Sequence, residues 1–257
     1  MIRHFFDDVL WSMDCQFEFP LSEKFRAYLR LDYLLRRLFK AADNADWPFF
    51  TALFDLLDVL ERGDIKAELI KDLERTIEQL GRWAAMPGVD AEQLSGLNKE
   101  LQGHRQWLLT QQRLPPGWRD DPLLMALRAR FSVAGGDAPF DLPQLACWQQ
   151  RSAVLQQADV AAWLDKVEPV ARALGLFLHL VREGGRREQV LARNGFYQAS
   201  AENLVLLQLA GLPAGLYPSV SGHRGRYTVR LMALGDDGET TAVADDIPMV
   251  LTHCSWQ

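Results

Sequence analysis

The sequence predicts an α+β fold, with a mainly helical N-terminal domain over residues 20–184 and a smaller antiparallel β domain over residues 185–257. Apolar residues recur at helical spacing through the first three quarters of the chain, which favours amphipathic helices. Beyond residues 184–185 this spacing gives way to strand-like alternation and tight-turn dipeptides. A length of 257 residues suits one large domain or two small ones, and so accommodates both parts.

The first helix is predicted to begin at Ser22, whose hydroxyl can cap the first turn, with Glu23 favourably placed near the positive helix end. The second is predicted to begin at Trp47-Pro48, because proline is tolerated in a first turn, and to end at Gly63. Regular apolar stripes predict three more helices, over residues 65–80, 94–108 and 123–131.

The longest apolar pattern runs from Val160 to Val181 in alternating steps of four and three residues. Such spacing describes one continuous buried seam along a long helix. Pro169 lies within this pattern and cannot donate a helical hydrogen bond, so we expect a kink or a break near Glu168.

Strand signals follow in the C-terminal part. Asn194-Gly195 and Asp237-Gly238 are typical of tight turns. Residues 226–231 alternate, with arginines and a threonine on one side and apolar residues on the other, which predicts a half-buried strand. Further strands are predicted over residues 204–209 and 248–252, and the alternating residues 15–19 are expected to pair with the C-terminal strands.

The composition is that of an ordinary globular protein, with 48% hydrophobic and 24% charged residues. No apolar run reaches about 18 residues, which argues against a transmembrane helix. Asp7 and Asp8 interrupt the apolar N-terminal stretch and so argue against a signal peptide. Three widely separated cysteines indicate reduced thiols, and together these features predict a cytoplasmic protein.

The net charge of −6 conceals two basic segments. Residues 22–40, here called the helix island, hold six basic and two acidic residues, and residues 186–230, the strand island, hold the same numbers. Residues 231–257 hold five acidic residues and no lysine or arginine. Clusters of one charge sign are less expected by chance than scattered charges, so the two islands are candidate binding surfaces.

Both islands offer arginines on one side of an element. In the helix island Arg26, Arg30 and Arg37 share a face with Tyr33 at helical spacing. In the strand island Arg226 and Arg230 point the same way, roughly 13 Å apart at about 3.3 Å per residue. They follow His223 and Arg224 in a predicted glycine-flanked loop, with Tyr217 nearby.

Guanidinium groups suit carboxylates or phosphates, and the neighbouring tyrosines suit a ligand that is acidic and partly apolar. The alternative is that these arginines pair with the chain's own carboxylates or are simply solvated.

Catalytic signatures are missing from the sequence. It contains no phosphate-binding glycine motif, no H-E-x-x-H, no C-x-x-C and no G-x-S-x-G. Ser221-Gly222-His223 most simply forms a turn, although a hydrolase built on Ser221 and His223 is a minor alternative. The adjacent His253-Cys254 is a weak metal signal without a second pair of ligands. We therefore predict neither an enzyme nor a bound cofactor or metal.

Several ordered blocks of sequence carry a family resemblance. They lie at residues 17–30 (FEFPLSEKFRAYLR), 56–63 (LLDVLERG), 68–75 (ELIKDLER), 140–143 (FDLP), 194–198 (NGFYQ) and 216–230 (LYPSVSGHRGRYTVR). Across residues 15–235 the chain resembles ZapD, the bacterial cell division protein that associates with FtsZ. Residues 1–12 precede the start expected for that family, and Met13 would be an alternative start.

The resemblance implies a non-enzymatic cytoplasmic homodimer that is recruited to the division site at mid-cell. It implies binding to the short C-terminal tail of FtsZ, bundling of FtsZ protofilaments, support of Z-ring assembly and lower FtsZ GTPase activity. No membrane or nucleic acid is expected as a partner. The tail-binding candidates are Arg30, Arg226 and Arg230, together with Arg26 and Tyr217, and the weaker candidates are His223, Arg224, Arg62 and Arg128.

A nucleic-acid-binding adaptor using the same basic segments is the main alternative function. The net charge of −6 and the absence of a recognisable nucleic-acid-binding motif count against it.

Overall fold

The computed structural model describes residues 16–43, 46–62, 64–84, 86, 90–131, 133–136, 138–223 and 225–256. Helices fill the first part of this chain and antiparallel strands the last part, which confirms the predicted α+β class. Two compact units divide the chain: a helical unit, Arg30–Phe177, and a β unit made of the residues up to Leu29 together with Leu178–Gln257. The domain boundaries expected near residues 20 and 184 stay a prediction.

The described part of the chain contains seven helices and one short 3-10 turn at Trp118–Asp120. The helices are α1 (Glu23–Ala41), α2 (Trp47–Arg62), α3 (Ile65–Ala84), α4 (Ala91–Thr110), α5 (Pro122–Phe131), α6 (Pro143–Gln149) and α7 (Ala153–Glu183).

The strands are β1 (Phe17–Pro20), β2 (Arg186–Ala192), β3 (Phe196–Ser200), β4 (Leu204–Ala210), β5 (Leu216–His223), β6 (Arg226–Leu234), β7 (Thr240–Ala242) and β8 (Ile247–Ser255). One sheet has the order β1-β4-β8-β2, and the other has the order β3-β6-β5 with β7 also paired to β6. β1 pairs with β4, almost two hundred residues away, in the way that the alternation of residues 15–19 indicated.

The helix starts follow the sequence signals. The Ser22 hydroxyl accepts a hydrogen bond from the backbone N–H of Phe25 at 3.3 Å, so it caps α1 as predicted. The segment Trp47-Pro48 opens α2, and α3 begins at Ile65, where its buried stripe starts. Local capping and apolar spacing therefore determine where these helices begin.

Two expectations differ from the structure. The chain stays helical through Pro169, so a break near Glu168 does not occur, whereas the other form of that expectation, a kink, stays a prediction. The seam on either side of this proline is buried, and that packing outweighs the loss of one backbone hydrogen bond. Residues 221–223 also do not form a glycine turn: they complete β5, because each of them pairs in register with a residue of β6.

Aromatic side chains form the centre of the helical unit. Phe50 packs edge-to-face against Trp148 at 5.5 Å between ring centroids and against Trp163 at 5.7 Å. The indole N–H of Trp163 donates to Asp121 at 2.7 Å, and that of Trp148 donates to Asp159 at 2.8 Å. Because both indole N–H groups donate hydrogen bonds, the rings can be buried without leaving a polar group unsatisfied.

The two sheets of the β unit enclose an apolar core. Leu207, Leu209, Met249 and Leu251 of one sheet and Tyr227, Val229 and Leu231 of the other are almost completely buried in it. This core takes one face of each sheet, which leaves the opposite face of the β3-β6-β5 sheet exposed.

A buried ion pair also belongs to the β unit. The guanidinium of Arg182, at the end of α7, donates to the two carboxylate oxygens of Glu18 on β1 at 2.9 and 2.8 Å. Gln208 donates to the same carboxylate at 3.0 Å. The hydrogen bonds to Glu18 offset part of the desolvation of its charge.

Candidate functional site: an exposed cationic sheet face

The candidate site is the outer face of the β3-β6-β5 sheet, here called the cationic face. Along β6 the residues alternate between the core, which takes Tyr227, Val229 and Leu231, and solvent, where Arg226 and Arg230 are exposed. Side chains of directly paired residues lie on the same side of a sheet. The register therefore adds residues of β3 and β5 to the face: Phe196, Gln198, Ser200, Tyr217, Ser219 and Ser221.

A tight turn sets the position of β3. Asn194 and Gly195 both have positive φ values, 49° and 65°, as the Asn-Gly dipeptide predicted. A Cβ at Gly195 would lie 2.3 Å from the carbonyl oxygen of Val243, so only glycine fits there. This turn leads directly into Phe196, which therefore begins β3 opposite Arg230.

Arg230 lies against an aromatic ring. Its guanidinium carbon is 5.8 Å from the ring centroid of Phe196, which is within the range of a cation–π contact. Phe196 itself is 39% exposed, so the ring presents apolar surface beside the charge. Arg226 differs, because its partner on β3 is Ser200.

Neither Arg226 nor Arg230 forms an ion pair with any residue that the structure describes. None of the described residues that the register places on the cationic face is an aspartate or a glutamate. Two solvated guanidiniums without a local counter-charge favour an anionic ligand.

The other strand-island candidates have mixed outcomes. Tyr217 is half-buried and lies on the same face. It pairs with Met232, which follows Arg230 by two residues on β6. His223 is the last residue of β5 and pairs with Arg226. The side chain of His223 and the whole of Arg224 lie outside the described residues. The structure thus brings Arg226, Arg230 and Tyr217 onto one face.

In the helix island, unlike on the cationic face, several arginines form ion pairs within the chain. Arg26 pairs with Glu23 at 3.2 Å, and Arg37 pairs with Asp55 at 3.0 Å. Arg36 pairs with Asp32 at 2.8 Å. Arg30 is exposed and has no ion-pair partner among the residues that the structure describes. Three of the six basic residues of this island are therefore paired internally, and Arg30 is solvated, which are the two forms of the predicted alternative.

Arg128 is committed to a structural cluster. It donates to Asp58 at 2.7 Å and to Glu61 at 2.8 Å, and its guanidinium carbon lies 4.6 Å from the Trp118 ring centroid. The hydrogen bond from Arg128 holds the pKa of Glu61 below its ordinary value. The side chain of Arg62 is outside the described residues. Arg128 therefore serves packing between helices and is a poor candidate for binding.

The minor catalytic alternative gains no support. Ser221 is an exposed strand residue whose carbonyl oxygen accepts a hydrogen bond from Thr228 at 3.5 Å. Among the described residues, no group of three histidines, cysteines or carboxylates could hold a metal ion. No helix in the described part of the chain is both long and apolar enough to cross a membrane.

The apolar residues of the face, Phe196 and Met232, are not among the candidates predicted from the sequence, and neither are the polar residues Gln198, Ser200 and Ser219. The Asn194-Gly195 turn signals that a strand starts at Phe196, and the alternation from Arg226 extends naturally to Met232. What the sequence does not contain is the register that places Phe196 opposite Arg230, 34 positions along the chain.

A buried hydrogen bond between two polar side chains lies on the inner side of this sheet. The Tyr227 hydroxyl is 2.6 Å from Nε2 of His253. Burial raises the pKa of Tyr227 above its ordinary value and lowers the pKa of His253, so both groups are neutral at pH 7. These neutral partners hold β6 and β8 together beneath the cationic face without a buried charge.

These observations define a class: an α+β protein with a helical unit and a two-sheet β unit, which exposes a cationic face with aromatic residues. Comparison with known proteins identifies the family within this class. The family model of ZapD, described as a cell division protein, matches residues 29–230. The chain therefore belongs to the ZapD family of cell division proteins.

Curated relatives match the chain over nearly its full length. The cell division protein ZapD of Photobacterium profundum is 40% identical over 244 residues, which cover 93% of this chain and 98% of the relative. ZapD of Serratia proteamaculans is 38% identical over 243 residues, covering 93% of this chain and 96% of the relative. A role in cell division follows from this membership.

Proposed function

We propose that the protein binds the C-terminal tail of FtsZ through the cationic face and, as a homodimer, cross-links FtsZ protofilaments into bundles. Bundling would promote Z-ring assembly and lower the GTPase activity of FtsZ. In this proposal the protein acts in the cytoplasm, is recruited to mid-cell, and has no catalytic activity of its own. Membership of a cell division family supports a role in cell division for this proposal.

One observation carries the proposal at residue level. Arg226 and Arg230 are exposed, point the same way and have no carboxylate partner among the described residues. An acidic, partly apolar peptide would satisfy both guanidiniums and cover the Phe196 ring.

A dimer explains bundling without strong single contacts. Two copies related by a two-fold axis present the cationic face twice, so one dimer can engage tails from two protofilaments. Simultaneous engagement raises the overall affinity by raising the effective concentration of the second tail. The single site can therefore be weak.

Sedimentation tests this proposal. Full-length FtsZ is polymerised with GTP, the protein is added, and bundles are collected at low speed. We expect bundles to appear with intact FtsZ and not with FtsZ that lacks its tail. We also expect less bundling as salt rises, because exposed charges are screened beyond about 10 Å at 0.1 M ionic strength. Equal bundling of tailless FtsZ would refute the proposed site of attachment.

The nucleic-acid alternative is tested in parallel. A gel shift with random DNA and RNA at moderate salt should show no complex, because the net charge of −6 opposes polyanions. A shift that Arg226→Gln and Arg230→Gln abolish would assign the cationic face to nucleic acid instead.

A further inference from the structure

The cationic face is asymmetric along β6. At one end Arg226 lies opposite Ser200 of β3 in the sheet register, so its described neighbour on that strand is polar. At the other end Arg230 lies beside Phe196, and Met232 follows two residues later with Tyr217 as its partner. Charge therefore recurs along the strand, whereas apolar surface is confined to one end.

The spacing of the two arginines fits an extended ligand. Same-side residues of a strand recur every second position, and four residues span about 13 Å. An extended peptide lying along β6 has the same repeat, so carboxylates four residues apart can face both guanidiniums at once. Carboxylates two residues apart, about 7 Å, reach only one of them.

The middle of the face adds a second constraint. Between the arginines lies Thr228, flanked in register by Gln198 and Ser221. The Thr228 hydroxyl is directed to the carbonyl oxygen of Ser221. A small or polar ligand residue suits this position, whereas an apolar anchor would leave these groups poorly hydrated.

We propose that the cationic face selects an extended peptide segment with two carboxylates four residues apart and an apolar or aromatic side chain two residues beyond the second carboxylate. Arg226 and Arg230 bind the carboxylates, and Phe196, Tyr217 and Met232 receive the apolar side chain. Phe196 has a further part as a positioning residue, because its ring holds the guanidinium of Arg230. The inference rests on the proposed function and deepens it by naming the peptide pattern that this face accepts.

A set of labelled peptides tests the pattern by fluorescence anisotropy at low salt. The first is a nine-residue Gly/Ser peptide with aspartates at its second and sixth positions and phenylalanine at its eighth. The second has the aspartates two positions apart, and the third has serine in place of phenylalanine. We expect the first to bind at least about fivefold more tightly than either of the others, because each loses one surface contact worth about 1 kcal/mol. Equal affinities for the first two peptides would overturn the spacing.

A double-mutant cycle tests the role of Phe196. We expect Phe196→Leu to weaken binding of the third peptide about threefold, and to have no further effect once Arg230→Gln is present. In the matched cycle with Arg226→Gln the two effects should add, because no ring among the described side chains lies against Arg226. Additivity in both cycles would overturn the positioning role. Leucine keeps the surface apolar, and unchanged thermal unfolding shows that the fold is intact.

The outcomes separate this inference from the proposed function. Binding of the designed peptides without binding of an FtsZ tail peptide would support the pattern and reject FtsZ as its source. Tail binding that neither Arg226→Gln nor Arg230→Gln weakens would reject the inference and leave FtsZ attached elsewhere. Tighter binding of a nine-nucleotide oligothymidine than of the first peptide would overturn the peptide pattern.

Discussion

The helix island and the strand island have the same charge in the sequence and different fates in the structure. Each holds six basic and two acidic residues. In the helix island Arg26, Arg36 and Arg37 are all in ion pairs within the chain. In the strand island Arg226 and Arg230 are exposed and lack an ion-pair partner among the described residues.

Secondary structure explains the difference. On a helix, residues three and four apart are neighbours, so Glu23 meets Arg26 and Asp32 meets Arg36. On a strand, the neighbours of Arg226 and Arg230 are the same-side residues of adjacent strands, which are Ser200, Phe196 and Ser219. The strand island also holds an ion pair, Arg186–Glu188 at 3.2 Å, but that pair does not involve Arg226 or Arg230.

The largest expected effect concerns an arginine that is paired and buried. In Arg182→Met the Glu18 carboxylate keeps its burial and loses its charged partner, which costs about 3–5 kcal/mol of unfolding free energy. Urea denaturation measures this loss. The double variant with Glu18→Gln should recover much of the stability, and a single variant as stable as the wild type would contradict the assigned pairing.

A smaller effect, on binding, is expected when two arginines of each island are neutralised. Arg226→Gln with Arg230→Gln should weaken binding of an FtsZ tail peptide about 30-fold, at about 1 kcal/mol for each charge-assisted contact. Arg26→Gln with Arg37→Gln should weaken it less than about threefold, because those guanidiniums already have partners. Isothermal titration calorimetry measures both.

The same pair of variants can invalidate the comparison. A larger loss in the helix-island variant than in the strand-island variant would show that paired arginines exchange their partners for the ligand. Thermal unfolding of both double variants beside the wild-type protein controls for altered folding.

A third prediction extends the comparison to histidines, since each unit holds one whose pKa is lowered by burial, His104 and His253. A lowered folded-state pKa means that the unfolded chain binds more protons just below pH 6.5. Stability is therefore fully present above about pH 6.5 and falls as the pH drops towards the folded-state pKa values. Chemical denaturation between pH 7.5 and 5.5 measures how steeply the free energy of unfolding depends on pH. His253→Asn should make this dependence less steep, because it removes one of the two contributing histidines.

The smallest effect is expected at an exposed ion pair. Arg37→Ala removes the pair with Asp55, in which both side chains are more than a third exposed, at 36% and 49%. Such pairs are worth less than about 1 kcal/mol, so we expect a stability change of about 0.5 kcal/mol or less. A loss of several kcal/mol would mean that the helix-island pairs are structural anchors.

Local signals in the sequence were enough to predict most helices. The Ser22 cap, the Trp47-Pro48 start and the stripe from Ile65 all depend on residues within a few positions of one another. The strand at Arg226 and the Asn194-Gly195 turn are local signals of the same kind. Such features depend on short-range sterics and periodicity, which a sequence displays directly.

Long-range pairing could not be predicted. The extension of β5 through Gly222 depends on its register with β6, which outweighs the turn preference of glycine. The pairs Arg37–Asp55 and Arg128–Asp58 likewise depend on how helices pack. For the candidate site, the sequence therefore predicted Arg226, Arg230 and Tyr217 and missed Phe196.

A charge swap tests the proposal that Arg226 and Arg230 bind carboxylates of the FtsZ tail. Arg226→Glu with Arg230→Glu is titrated against the natural tail peptide and against one with lysines in place of its acidic residues, each labelled for fluorescence anisotropy. We expect the double variant to lose binding of the natural peptide and to bind the lysine peptide at least about tenfold more tightly than the wild-type protein does. Undiminished binding of the natural peptide by the double variant would contradict the proposal.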